Sequence, residues 1–442
     1  VTKSQWGKEN IVPKTVAATL DQFKVGVPVD VLTKTFQVAI DICQRLEIEY
    51  LWIDSLCILQ DDEADWKDQA SKMVGIYQNS ILTIAATKSS EPLGGIYSRS
   101  KYPTYNLADG IPIRELNPKF PIRYFMDHKS WPLLQRTWVY QERIFSQRVL
   151  HFGEHEVIWE CKPLRRGQSW DCDLRVASEG DILSISTSWD RYVEMYSILQ
   201  LTFDSDKLVA LSSLAIRMAL SRPGDRYVAG LWQKTLLRDL TWYANCYSLK
   251  PRSASYICPS WSWASVKSGV LFGPDRELPC IIGVSVVDIS CPKEYSGCSS
   301  SQGHECPSPS ITVRSPLLEA KFLRKFSQVQ IEAGKATSIT IDRLHDIISE
   351  DETIDIAPDY KYDAPGRFYV SPESTVYLLP LLKRNLVDET SSIYQCLLLR
   401  RLDGSSLYER IAKVDLWHKK LDSEQNADAY MATLPFIHVT IV

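Results

Sequence analysis

Between residues 33 and 86 the chain alternates between two hydrophobic periods, and this constrains its fold more than any other feature. Phe36, Ile40 and Cys43 fall at i, i+4 and i+7, with Ala39 and Leu46 on the same face, which predicts a helix over 33–46. Residues 48–56 are almost continuously apolar, as expected for a strand buried on both faces of a parallel sheet. Trp66, Ala70, Met73 and Tyr77 predict a second helix, and residues 81–86 a second short strand. Helix, strand, helix, strand is the pattern of an α/β layer with right-handed crossovers.

Further on, residues 88–129 read as a long Pro-, Gly- and Ser-rich connection, and 133–144 as a helix. Residues 148–152 and 156–161 read as a hairpin around Gly153-Glu154, followed by a polar break over 162–180. Three helices are expected at 189–201, 207–220 and 226–243. The segment "PSWSWAS" at 259–265 is too aromatic for a solvated loop; its two Trp at i, i+2 share one face of an extended segment and suit core packing. From residue 270 strand-like alternation takes over, in "IIGVSVVDI", "SITVRS", "TVYLLPLL" and "YQCLLLRRL". The expected organisation is an α/β domain over 1–165, a helical extension over 166–265 and a β-rich C-terminal domain over 266–442.

Bulk properties exclude several classes. With 442 residues, two or three domains are expected. The net charge of −4 comes from interspersed acids and bases without a basic stripe, which argues against nucleic-acid binding. No apolar run is long enough to span a membrane, and no secretory signal is visible. The chain starts at Val1, so its natural start is expected to be missing. The eleven cysteines are scattered, with Cys43 and Cys57 in core-like settings, and reduced thiols in a cytoplasmic protein are the simplest account. Cys291, Cys298, Cys306 and His304 cluster without the paired spacing of a zinc site, so no metal is expected.

Candidate chemistry lies in two segments. The first is "YLWIDSLCILQDDEADWKDQ", where a strand runs through a crowd of acids into a helix. Ligands gather beyond the carboxyl ends of strands in open α/β sheets. Asp54, Ser55, Asp61, Asp62 and Gln69 are therefore candidates for one pocket. Gln69 lies about 60° round the helix from Trp66, on the shoulder of its buried stripe. The plainer reading has the acids capping and solvating a helix start, and it is the favoured one. The second segment is "QRTWVYQERIFSQRVLHF". Trp138, Gln141, Glu142 and Phe145 lie three or four apart on one side of a helix, and Arg136, Arg143 and Arg148 offer forked donors. An anion or nucleotide site is one reading; an Arg–Glu142 pair that locks the helix to the sheet is the favoured other. Cys57 and His151 fit an inert thiol and a strand residue better than a nucleophile and base. No G-x-S-x-G, G-x-G-x-x-G, Walker or H-E-x-x-H motif is present.

Taken together, "YLWIDSLCILQDDEADW", "MVGIYQNSILTIAA", "RTWVYQERIFSQRVLHF" and "VIWEC" resemble successive blocks of the fungal heterokaryon-incompatibility (HET) domain. The later "YSILQLTFDSDKLVALSSLA", "YVAGLW" and "PSWSWAS" resemble the segment that follows it in large HET proteins. The resemblance implies a TIR-like or flavodoxin-like parallel sheet with flanking helices. It also implies cytoplasmic signalling in non-self recognition, ending in programmed cell death through assembly with protein partners, self-association included. Because some TIR relatives cleave NAD with a Glu in a W-x-x-E arrangement, NAD as substrate and NAD glycohydrolase activity form the alternative, and a non-catalytic scaffold a further one. The family pattern D-W-x-x-E reads Asp65-Trp66-Lys67-Asp68-Gln69 here, so Gln69 occupies the expected Glu position and Asp65, Asp62 or Asp54 is left as spare carboxylate. Ser55, Asp61, Asp62, Trp66, Arg136, Trp138, Gln141, Glu142 and Arg143 are the implied binding residues. A first strand like "LSxxWG" is matched by "VTKSQWGK", with Trp6 and Gly7 fitting and Lys3 at an apolar position.

Overall fold

Neighbouring residues of a short strand project to opposite faces of its sheet, and here each face meets its own helix. Ile84 packs with Val38, Ala39, Ile42 and Cys43 on one face; Ala85 packs with Leu133, Leu134 and Val139 on the other. This is the computed structural model of the chain. It describes residues 1–3, 12–89, 95–97, 104–106, 112–114, 131–154, 157–161, 164–167, 188–246, 249–273, 279–291, 309–323, 338–340, 354–361, 369–371, 374–385, 391–419 and 433–442. The chain divides into two units, Val1–Thr187 with Leu199–Leu201, and Ser188–Ile198 with Thr202–Val442.

In the first unit the elements run β1 (Thr2–Lys3), α1 (Leu20–Val25), α2 (Lys34–Arg45), α3 (Asp54–Cys57), α4 (Glu63–Asn79) and β2 (Thr83–Ala85). A small hairpin follows, β3 (Thr104–Asn106) with β4 (Pro112–Arg114). Then come α5 (Thr137–Phe145), β5 (Arg148–Phe152), β6 (Val157–Cys161) and β7 (Leu164–Gly167). The sheet order is β1-β2-β5-β6-β7. Pairing is parallel from β1 through β5 and antiparallel from β5 through β7. This is a mixed sheet, and only part of it is the expected parallel one. The TIR-like and flavodoxin-like detail is not supported.

Four local expectations need correction. Residues 48–56 form no full strand. They make a single parallel rung, Thr2 with Ile53, and the chain turns into α3 as the Leu56 and Cys57 amides bond back to the Ile53 carbonyl. Cys57, at the end of that turn, is exposed rather than buried. The helix expected over 133–144 is split. Pro132–Gln135 is a 3-10 turn, Arg136 is extended at φ −84° and ψ 135°, and α5 starts after it. Arg136 breaks the helix because it forms a parallel bridge with Gln200, whose amide bonds to the Gln135 carbonyl. Leu46, placed by period on the buried face of α2, lies past the helix end and is exposed.

The second unit begins with α6 (Trp189–Ser197) and α7 (Asp206–Leu220). The helix expected over 226–243 is instead β8 (Tyr227–Val228), β9 (Leu231–Trp232), α8 (Leu236–Asp239) and β10 (Tyr243–Ala244). The reversal is made by two left-handed residues, Ala229 at φ 44° and Gly230 at φ 95°, which no helix accommodates. Beyond β11 (Val270–Leu271) lie β12 (Ser285–Ser290), β13 (Ser310–Pro316), β14 (Leu318–Leu323), β15 (Ser338–Thr340), β16 (Ile354–Pro358), β17 (Thr375–Asn385), β18 (Ser391–Arg401), β19 (Leu407–Lys419) and β20 (Phe436–Ile441). These nine strands form one sheet, ordered β12-β13-β20-β19-β18-β17-β14-β15, with β16 on β19. The strand character expected after residue 270 is thus present. Cys298, His304 and Cys306, like Trp6 and Gly7, lie outside the described residues.

Trp261 and Trp263 of "PSWSWAS" are buried, as expected, but in a turn with a 3-10 segment at Trp263–Ser265 rather than an extended run. The Trp189 and Trp263 indole N–H groups both donate to the Gly230 carbonyl, at 2.8 Å each. A Cβ on Gly230 would meet the Trp263 ring nitrogen at 2.6 Å, at a φ that disfavours side chains. Gly230→Ala should therefore destabilise this unit by about 2–4 kcal/mol, combining overpacking with backbone strain. Urea unfolding followed by tryptophan fluorescence measures it.

Candidate functional site

The acids of residues 54–65 are acceptors for backbone amides. Asp62 caps α4, its carboxylate accepting from Ala64 at 2.8 Å and Asp65 at 3.1 Å, an arrangement worth about 1 kcal/mol to a helix. Asp61 accepts from the Ala17 amide through both oxygens, at 3.0 and 3.1 Å, and so ties the loop before α1 to the loop before α4. Asp65 Oδ2 accepts from the Leu59 amide at 2.7 Å. Asp54 Oδ1 accepts from the Ser55 amide at 2.8 Å. Ser55 is buried and its hydroxyl has no hydrogen-bond partner.

Gln69 is half-buried, and its amide nitrogen donates to Asp65 Oδ1 at 3.4 Å, one turn back. Asp68 bonds outward to Lys72 at 2.6 Å in an exposed pair. The position that reaches Glu142 and Asp54 is two turns further along α4, at Tyr77. Tyr77 is 2% exposed and hydrogen-bonds the Glu142 carboxylate. Burial holds its phenol well above the ordinary range; the negative charges of Glu142 and Asp54 push it further, and Arg136 pulls it back. The Trp52 ring meets Tyr77 edge-on at 5.8 Å, and Trp66 meets Trp138 edge-on at 6.1 Å. The geometry thus groups Asp54, Arg136 and Glu142 around Tyr77, and Trp66 with Trp138, while Asp61, Asp62 and Asp65 serve loops and caps. Sequence reasoning placed Tyr77 in the buried stripe but gave it no role. Its phenolic group in an otherwise apolar stripe was the available signal, since a buried hydroxyl requires a partner.

Arg143 does not join this group. Its Nε and Nη2 donate to Glu160 Oε2 and Oε1 at 2.7 and 3.0 Å, with both side chains buried. Glu160 Oε2 also lies 2.9 Å from His151 Nε2, and His151 Nδ1 lies 3.0 Å from the Thr87 hydroxyl. An Arg–Glu lock between α5 and the sheet exists, with Glu160 of β6 in the place expected for Glu142. Arg148 is exposed and bonds the Ile81 carbonyl at 3.4 Å. The Thr87–His151–Glu160 order mimics a nucleophile–base–acid series. However, all three side chains are buried, so the arrangement serves to fix the strands.

Glu160→Gln would leave the Arg143 guanidinium buried without its counter-charge. We expect a loss of about 3–5 kcal/mol, the range for breaking one half of a buried pair, measured by chemical denaturation of the full chain.

Residues 5–142 match the family model described as heterokaryon incompatibility protein (HET). No curated protein and no solved structure matches the chain. The matched segment contains the acid loop, α4 and the start of α5 through Glu142, so the residues grouped around Tyr77 all fall inside it. Over about a third of its length, then, the chain is similar to the heterokaryon incompatibility protein (HET) family.

Proposed function

We propose that this chain acts in fungal heterokaryon incompatibility as a cytoplasmic signalling protein. It passes a non-self signal toward programmed cell death by assembling with protein partners, and with itself, rather than by turning over a substrate at Asp65 and Gln69. The family match supports the biological setting. One observation carries the mechanistic half: Asp65 accepts from the Leu59 amide and from the Gln69 amide at once. A carboxylate so held is a structural acceptor, and an amide cannot stabilise a developing positive charge as the family's Glu would. Asp62, the other spare acid, is occupied as the cap of α4.

The NAD glycohydrolase reading is the one to test against. Purified full chain incubated with NAD should release nicotinamide at the rate of a no-protein control, and should self-associate on a sizing column. Release that disappears in Asp65→Ala, with fold intact by circular dichroism, would reverse the assignment.

Gln69→Glu gives a second, physical test. It replaces the amide–carboxylate contact by two carboxylates one turn apart. Repulsion raises the folded-state pKa of the pair above its unfolded value, so the penalty is present at neutral pH and disappears as the pair is protonated. We expect the variant to be less stable by about 0.5–1 kcal/mol at pH 7, with the difference closing below about pH 4. Urea midpoints across pH measure this.

A further inference from the structure

Helix α7 buries one face and carries another that the fold does not use. Leu208, Leu211, Leu214 and Ala215 lie in the core. On the outer side Ser205, Val209, Ser212, Ile216, Ala219 and Leu220 fill an arc of about 100° that contains no charged residue. Ile216 is 66% exposed and Leu220 84%. The water-facing side of a soluble helix is ordinarily polar or charged, so an uncharged one with large apolar residues marks a contact surface.

The spacing of the row selects its occupant. Ser205, Val209, Ser212, Ile216 and Ala219 are alternately four and three apart, the seam period of paired helices. In size they run small, β-branched, small, β-branched, small, and the order is the same from either end. Such a row complements its own antiparallel copy. About a two-fold axis beside Ser212, Val209 of each helix packs next to Ile216 of the other, and Ser205 faces Ala219. The serines can be covered at little cost. The Ser212 hydroxyl already donates to the Val209 carbonyl at 2.8 Å, and the Ser205 hydroxyl to Asp206 Oδ1 at 3.3 Å.

Charge selects the same sense. Asp206 stands in the first turn of α7 and Arg217 in the last, on one flank of the seam. Antiparallel packing sets the acidic end of one helix against the basic end of the other and opposes the two helix dipoles. Parallel packing would bring like ends together. Both side chains keep their intrachain contacts, because the sign at each end, not a new ion pair, sets the sense.

We propose that the outer face of α7 is a homodimer surface, on which a second copy of this chain docks its own α7 in antiparallel fashion. The 15-residue helix offers about four turns, well under the roughly 1,600 Å² of a standard interface. The contact is therefore weak and reversible, with a dissociation constant on the order of 10–100 μM. This surface carries the self-association proposed above and rests on that reading.

Sedimentation velocity of the full chain from about 1 to 300 μM should show a monomer–dimer equilibrium within that range. Val209→Glu and Ile216→Lys should each weaken dimerisation about tenfold or more, with circular dichroism unchanged. An equimolar mixture of these two variants should recover a dimer, because the antiparallel seam sets position 209 of one chain beside position 216 of the other. Should Val209→Glu fail to fold, Ser212→Arg, which brings like charges together at the axis, should weaken dimerisation to a similar degree. A dimer unaffected by Ile216→Lys would keep the self-association and overturn its placement on α7. Failure of the mixture to recover would overturn the antiparallel seam. A chain that stays monomeric throughout would overturn both the surface and the self-association.

Discussion

The buried pair between Arg143 and Glu160 sets the geometry of the first unit. Both groups lie out of water, which costs several kcal/mol per ion and is offset only when geometry and hydrogen bonding are nearly complete. Here the guanidinium fork meets both carboxylate oxygens, and His151 occupies the remaining direction. The bond fixes α5 to β6 at one rotation, because a slip of one residue would turn Arg143 away by about 100°. With α5 fixed, Glu142 is presented to Tyr77 and Trp138 to Trp66. The contacts that α5 makes with α4 follow from that single orientation. The Thr83–Ser146 hydroxyl contact at 2.9 Å secures the far end of the same helix to β2.

The second unit uses the same physics with a different partner set. Arg410 of β19 is wholly buried and grips Asp359 through two bonds of 2.9 Å. Two further N–H groups donate to the Leu240 and Trp242 carbonyls, and the guanidinium carbon lies 3.6 Å from the centre of the Trp242 ring. A lysine could supply the charge but neither the fork nor the stacking. The Arg410 amide, meanwhile, donates to the Ser260 hydroxyl. One side chain and its backbone thus bind the strand to the α8–β10 turn and to the start of "PSWSWAS". The segment is tied in further by the Trp242 indole, which stacks on Arg410 and donates to the Trp261 carbonyl.

Much of the fold was legible because it depends on local periodicity. The helix from Thr33, the hairpin at residues 148–161 and the strands after residue 270 are read from spacing alone, and spacing is a property of the chain. The capping role of Asp62 was legible for the same reason, since a cap and its amides lie within three residues. Failures occurred where a distant partner intervened. Arg136 is extended because Gln200 bridges to it, a residue more than sixty positions away. The apolar stretch before Asp54 makes one parallel rung, Ile53 with Thr2, before the chain turns into α3.

What the sequence by itself determined is the elements whose hydrophobic period is unbroken and the bland fate of the acid loop: acids beside a helix start accept backbone amides. Only the tertiary structure decided which charge meets which. Nothing in the spacing distinguishes Glu142 from Glu160 as the mate of Arg143. The register of β5 with β6 makes the choice, by placing Val149 opposite Glu160 so that His151 and Glu160 share one face. The acid adjacent in sequence is thereby released to Tyr77. Charges act through distance, and the distances between separate elements exist only once the sheet has assembled.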